Sequence, residues 1–582
     1  MNLAGAVVLR IRPHPLAFRK SFMSIESSSP GTARTPSETW PGPVQHDSPR
    51  ERAGSAGSWT GGYLAVEGKP FPVIGAEVHN SSSSSIPAIE ASFTTVEELG
   101  ANTVLAPVAW DLLEPSEGTF DFTLLDRMIG AARERGLRLI PLWFGSWKNA
   151  VSTYVPAWVK TDVARFPRSE LSDGSRVEQV TPFGMAARHA DARAFAALLR
   201  HIREADADRT VIAVQVENEI GLLGDSRDRS AGAERAFAAP VPATVIEAIA
   251  ADESAPIHAE WLSAGARREG TWAELFPPGD RVDEAFMAAA FAAYTEVVAA
   301  AGAAEYDVPL FVNAWLDADS VLDGPVALAG GKRPGQYPSG GPVMPVAAIW
   351  EALAPSLHFL AVDAYVKDAE PVFAAYRSRR DRLFVPELRA DAEGVAQMFA
   401  AVGGHRAVGV SFFGVDAYSA GDADAAVVKD GYALLSAAAT LIRRNPDARI
   451  HGFVLNDENP AATLAFDRLT IQVHSRDEWG MVTPIYPGYG IAIEDGDGAY
   501  VIGRGFWITL EPRNGRKVSF LSATHYDHAD GQLTVARQLN GDETAGGTLI
   551  PFPPPGSALL PGRAIPTRIP EATATRITAY EY

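Results

Sequence analysis
Hydrophobic and polar positions alternate between two rhythms from about residue 60 to residue 445. Eight short apolar runs, rich in Val, Ile, Leu and Phe, recur: FPVIGAEVHN from Phe71, NTVLAPVAW from Asn102, LRLIPLWFGSW from Leu137, TVIAVQVENE from Thr210, VPLFVNAW from Val308, HFLAVDAY from His358, RLFVPE from Arg382 and AVGVSFFGV from Ala407. Runs without a polar face suit a parallel sheet covered on both sides. Between them the period changes to that of a helix, as in Leu125, Met128, Ile129 and Ala132, or Phe195, Leu198, Leu199 and Ile202. Strand alternating with helix implies right-handed βαβ units, and eight of them over roughly 360 residues predict a (β/α)8 TIM barrel of the α/β class. No GxGxxG follows the first run, which counts against a dinucleotide-binding sheet.

The character changes after DGYALLSAAATLIRR. Short alternating runs such as ATLAFDRLTIQVH, YVIGRGFWITL and RKVSFLSATHY, divided by Gly, Pro, Asn and Asp, predict a C-terminal β-sandwich domain over 448–582, with the barrel over 58–447. Residues 1–57 end in a Ser/Pro/Gly-rich stretch too poor in apolar surface to offset its ordering entropy, so a disordered N-terminal tail is expected, with Met23 as an alternative start. No fixed-period repeat points to a solenoid or propeller.

Composition narrows the functional classes. At 582 residues, 47% hydrophobic and 21% charged, the chain reads as a soluble globular protein, and no apolar run approaches the length of a membrane span. Fifty-one Lys+Arg against 71 Asp+Glu give a net charge of -20, which repels nucleic acid and leaves a neutral sugar unaffected. With no Cys, disulfides, thiolate nucleophiles and Cys-ligated zinc are excluded together. The 12 His form no HExxH or similar cluster, so neither a metal nor a cofactor is expected. The N-terminal MNLAGAVVLRIRPHPLAFRK lacks a leading positive charge and a cleavage site, and a cytoplasmic location is expected.

Reactive groups in such a barrel sit at the carboxyl ends of strands. The fourth run ends in Asn218-Glu219 and the seventh in Glu387. Either Glu alone reads equally as a solvated strand end or half of an ion pair. Two of them facing each other across one barrel mouth suit glycoside hydrolysis, where one carboxyl donates a proton and the other stays ionised. Glu77 and Glu114 are rivals better suited to ion pairing or pocket lining. Trp147, which closes the third run ahead of polar Lys148 and Asn149, is the best placed of several indoles (Trp110, Trp143, Trp147, Trp315) to stack on a sugar, although core packing competes for each. His79 reads as a structural histidine.

The VENE and VPE endings resemble the acid/base and nucleophile motifs of the retaining glycosidases that carry their carboxylates on strands four and seven. GAEVHNSS and WDLLEPSEGTFDF resemble family 35 β-galactosidases, particularly the bacterial branch with a C-terminal β-domain, and the missing Cys favours that family over family 42. The resemblance implies Glu219 as general acid/base, Glu387 as nucleophile, Asn218 on the sugar 2-hydroxyl and Tyr365 as hydrogen-bond donor to the nucleophile. Asn80 stands where many members have a substrate-contacting Tyr, and GSWKNA replaces the usual Cys-Ala-Glu that reads O4 and O6. The expected activity is a retaining exo-glycosidase that releases terminal β-D-galactose from oligosaccharides. The alternatives are a β-glucosidase, an α-L-arabinopyranosidase or an inactive carbohydrate-binding homologue. An oligosaccharide is the expected partner, without nucleic acid or membrane, and homo-oligomerisation is left open.

Overall fold
The structure, a computed structural model, describes residues 59–318, 330–419, 421–475, 487–512, 516–554 and 571–582. The expected tail and Met23 lie outside the described residues. Eight parallel strands close into a barrel in chain order: β1 (Val73–Glu77), β2 (Thr103–Ala109), β3 (Arg138–Lys148), β4 (Val214–Asn218), β5 (Leu310–Trp315), β6 (Phe359–Asp363), β7 (Phe384–Leu388) and β8 (Gly409–Phe413), which pairs back with β1. Every apolar run therefore supplied one strand. The main covering helices are α1 (Ile86–Leu99), α2 (Thr123–Glu134), α3 (Met185–Ala205), α4 (Asp280–Glu305), α5 (Ala347–Leu353), α6 (Glu370–Arg380), α7 (Ala392–His405) and α8 (Ala423–Arg444).

The ends of these elements follow local chemistry. Ser85, the last residue of a serine run, caps α1 by accepting the Ala88 N–H at 3.3 Å, and Gly100 at φ 90° ends it. The barrel interior is filled from one end by Val73, Leu105, Ile140, Leu142, Phe144, Phe311, Phe359 and Phe384. Phe311 stacks on Phe359 at 5.1 Å and meets Phe384 edge-on at 5.1 Å. A three-stranded antiparallel sheet over residues 59–71 covers this end, with Leu64 in the same apolar cluster and Trp59 edge-on to Phe359 at 6.0 Å. That floor is closed, and polar side chains collect at the opposite, carboxyl end of the strands.

Beyond α8, two antiparallel sheets of six and four strands enclose a shared core of Leu455, Ile471, Val473, Val501, Ile508 and Ile577, giving the sandwich expected from the alternating pattern. The barrel core extends into this region through Tyr489, Ile491, Ile493 and Ile502. The hydropathy reading needs one correction: α4 and α8 are long and apolar enough to cross a membrane by length and composition. Their apolar residues are instead buried in the protein, Phe286, Phe291 and Val298 on α4 and Leu434, Leu435 and Ile442 on α8, which is how core helices come to resemble spans.

Candidate active site
The strand that carries Glu219 leaves regular geometry before it ends. Glu217 and Glu219 have φ of 60° and 45°, a left-handed backbone that costs a residue with a Cβ about 1–3 kcal/mol. Specific bonds hold it there. The Glu219 N–H donates to Asn313 Oδ1 at 2.9 Å, the Asn149 N–H to the Asn218 carbonyl at 3.1 Å, and the Trp147 N–H to Glu217 Oε2 at 2.9 Å. The twist breaks the simple inward–outward alternation of a strand. Glu217 enters a buried network behind the barrel, where Asp191 accepts from Trp143 Nε1 at 2.9 Å and from Ser146 Oγ at 2.7 Å. Burial, then the neighbouring Asp191, pushes the Glu217 carboxyl well above the usual range, and burial raises Asp191 as well.

Asn218 and Glu219 turn into the mouth instead. There Glu387, at the end of β7, accepts from the Tyr365 hydroxyl at 2.8 Å on Oε2, and from the Asn218 and Asn313 amides at 3.4 and 3.5 Å on Oε1. Asn313 also donates to Asp363 Oδ2 at 2.7 Å, so one amide ties together the ends of β4, β5, β6 and β7. Glu219, Asp363 and Glu387 each bring a carboxylate oxygen within 4.8 Å of the other two. Among the described residues these are the acids close enough to one another to hold a metal ion. The donors already aimed at Glu387 and Asp363 occupy part of that capacity.

Packing several acids around one point sets their protonation. Burial, then the charge of Glu387, pushes Glu219 up to about 8, against the pull of Lys148 and a contact with Asp363. Asp363 is raised well above the usual carboxylate range by burial and then by Glu387 and Glu219. Tyr365 is raised too, by burial and by Glu387, which keeps its hydroxyl protonated as a donor. Lys148 is 3% exposed and donates to Asn218 Oδ1 at 2.8 Å. Burial alone would lower its pKa, but Glu387, Glu219, Glu77 and Asp363 together raise it, so it stays cationic.

Of the residues singled out in the sequence, the structure brings together Glu219, Glu387, Asn218 and Tyr365. Asn80 lies in the loop after β1 and makes no hydrogen bond to this cluster among the described residues; it lines a neighbouring cavity of about 220 Å³ with Ser83, Asp111 and Tyr154. Trp147 requires a correction. The register of β3 against β4 shifts between Trp143 and Lys148, and this bulge turns Trp147 outward against Phe291 and Tyr294. Packed on those two rings outside the barrel, it has no face for a sugar. Trp110 donates to Glu114 at 2.7 Å, Trp143 serves Asp191, and His79 bonds Asp416 at 2.8 Å, all structural contacts. Lys148, Asn313 and Asp363 were missed. Their signal was present as a lone polar residue at the carboxyl end of an apolar run, in LWFGSWK, LFVNAW and LAVDAY.

Comparison with known proteins covers part of the barrel and part of the β-rich region. Residues 83–264, which carry β2, β3, β4 and Glu219, match the family 42 glycoside hydrolase model described as β-galactosidase. Residues 428–551 match a domain of unknown function, DUF5597, whose first residue falls inside α8. A β-galactosidase of Xanthomonas manihotis is 27% identical over 212 residues, 35% of this chain; the chain spans about a third of that relative, 30% of its length. Solved structures with a similar course include a β-galactosidase from Halorubrum lacusprofundi (16% identity, TM-score 0.42, 63% of this chain and 58% of that one). Another is the β-galactosidase of Marinomonas ef1 (12% identity, TM-score 0.43, 64% and 61%). A third is the catalytic domain of a Paenibacillus polymyxa β-amylase (12% identity, TM-score 0.42, 59% and 92%). Over residues 83–264 the barrel thus resembles a β-galactosidase-type glycoside hydrolase. The matching family model is that of family 42, the neighbour that the missing Cys had set aside, and not that of family 35.

Proposed function
We propose that the protein is a retaining exo-β-galactosidase acting on oligosaccharides, with Glu219 as general acid/base and Glu387 as nucleophile. The observation that carries this reading is the approach of their carboxyl oxygens to within 4.8 Å of each other. Retaining enzymes hold the two carboxyls about 5–5.5 Å apart, whereas inverting ones need about 6.5–9.5 Å to admit a water. Glu219 keeps its proton near neutral pH and donates it to the departing oxygen, while Glu387 attacks the anomeric carbon and forms a glycosyl ester. The Tyr365 hydroxyl and the two amides hold Glu387 in a fixed orientation and stabilise its negative charge. Glu219, now a carboxylate, takes a proton from water, which opens the ester. The Asn218 amide reaches the sugar 2-hydroxyl as the oxocarbenium-like transition state forms.

Galactose as the glycon rests on the family model matched by residues 83–264 and on the Xanthomonas relative, and the same match favours family 42 over family 35. Proton NMR of the anomeric region in the first minutes of hydrolysis tests the mechanism. β-Galactose is expected first, with the α-anomer growing in by mutarotation. An initial burst of α-anomer would mean inversion and remove Glu387 as nucleophile.

A further inference from the structure
Glu77 ends β1 and is 1% exposed, yet neither of its carboxyl oxygens has a hydrogen-bond partner among the described residues. Buried polar atoms are nearly always paired, and leaving one unmet costs about 1–3 kcal/mol, more when it is charged. The direction of the side chain follows from the sheet. Val73 faces the barrel interior, alternation along β1 returns Glu77 to the same face, and its partner in register on β2 is the inward Leu105.

Its electrostatic neighbours are Glu387, Lys148, Glu219 and Asp416, so Glu77 looks into the same mouth as the acid pair. Most of the other polar groups there have protein partners, although Asp363 Oδ1 and Ser411 Oγ, each a single atom, do not. Glu387 has Tyr365 and two amides, Asp363 has Asn313, and the Lys148 ammonium is bonded to Asn218. Leu105 and Phe413, beside Glu77 on the flanking strands, offer only apolar side chains.

The geometry points to Glu77 as a specificity-determining residue that takes up two neighbouring hydroxyls of the glycon sugar, one on each carboxyl oxygen. This rests on the glycosidase reading above and deepens it. The ligand supplies the partners that the protein withholds, and Lys148 lies near enough to share in reading the same sugar. The chemical class that fits is a neutral pyranose with a vicinal diol. A uronic acid would bring a further negative charge to four carboxyl groups balanced by a single ammonium.

The test is a cycle in which the protein and the substrate are trimmed in turn. The unaltered protein, Glu77→Gln and Glu77→Ala are assayed on nitrophenyl β-galactoside, β-glucoside, β-xyloside and α-L-arabinopyranoside, then on the 3-, 4- and 6-deoxy forms of whichever glycon turns over. Glu77→Ala should lower kcat/KM for the parent glycoside by about 100-fold or more, with Glu77→Gln between the two. Two deoxy glycosides from adjacent positions, already poor for the unaltered protein, should lose no more than about threefold further on the same substitution. Equal loss on every glycoside would overturn the inference and leave the glycosidase reading standing. So would a fall in melting temperature for both variants, because removing an unpartnered buried group should not destabilise the fold. Turnover of none of these glycosides by the unaltered protein would remove the glycosidase reading itself, and this inference with it.

Discussion
Glu219 holds its proton at neutral pH because it is buried and because Glu387 lies beside it, and the value of about 8 has consequences for both rate and stability. A general acid works only while protonated, so kcat/KM for a nitrophenyl galactoside should fall as pH rises through about 8. Glu219→Gln should lose about 10²–10⁴-fold on substrates with poor leaving groups, with far less effect on formation of the glycosyl-enzyme from a dinitrophenyl glycoside. An alkaline limb that persists in Glu219→Gln would assign it to another group. Stability runs in a definite direction as well. The folded-state pKa lies above the unfolded one, so the contribution of Glu219 is fully present below about 4.5 and is lost as pH rises through about 8. Glu219→Gln should therefore melt with the unaltered protein at pH 4 and above it by roughly 1–3 °C at pH 8.5. A gap that does not widen with pH would contradict the assignment.

At the scale of elements, the site depends on how β3 and β4 end. The bulge in β3 buries Trp147 and returns Lys148 to the mouth, and the two left-handed residues of β4 send Glu217 and Glu219 to different environments. Gly145 makes the crossing of these strands possible. A Cβ there would sit 2.5 Å from Trp143 Nε1 and 2.7 Å from Glu217 Oε1, inside the network that anchors the twist. Gly145→Ala should cost about 1–3 kcal/mol in chemical denaturation and lower kcat through displacement of the β4 end, with KM less affected. Wild-type stability in this variant would show that the network yields without consequence. Periodicity could reveal that these segments were strands, because alternation and apolar content are local. It could not reveal the bulge, which answers to the register of a strand about 70 residues away.

For the molecule as a whole, the β-rich region and the barrel share a core. Gly403 on α7 and Gly452 on the strand Ile450–Leu455 approach so closely that a Cβ on Gly452 would lie 2.6 Å from the Gly404 nitrogen and 2.6 Å from the Phe399 carbonyl oxygen. The largely buried Arg504 reaches back to Asp430 on α8 at 2.8 Å. Heat should therefore unfold the barrel and the β-rich region in one cooperative transition, and Gly452→Val should lower its midpoint and the activity midpoint together. Two separated calorimetric transitions would show that the β-rich region folds on its own.

The sequence by itself determined the eight strands, their alternation with helices, the switch to paired antiparallel sheets, and the two glutamates at opposed strand ends. Each of these is carried by short-range pattern: a continuous apolar run, a 3.6-residue period, a polar residue where an apolar run stops. Trp147 shows the limit of such patterns, since a position at the end of an apolar run looks open to the mouth until the bulge turns it outward and buries it against the covering helix. Lys148, Asn313 and Asp363 were visible as polar residues at strand ends but had no evident purpose alone. Only closure of the barrel placed three acids within 4.8 Å of one another, tied them through one asparagine amide and enclosed a lysine among them. Tertiary structure decided these matters because Coulomb energies and desolvation depend on distance through space and on burial, and neither is a property of position along the chain.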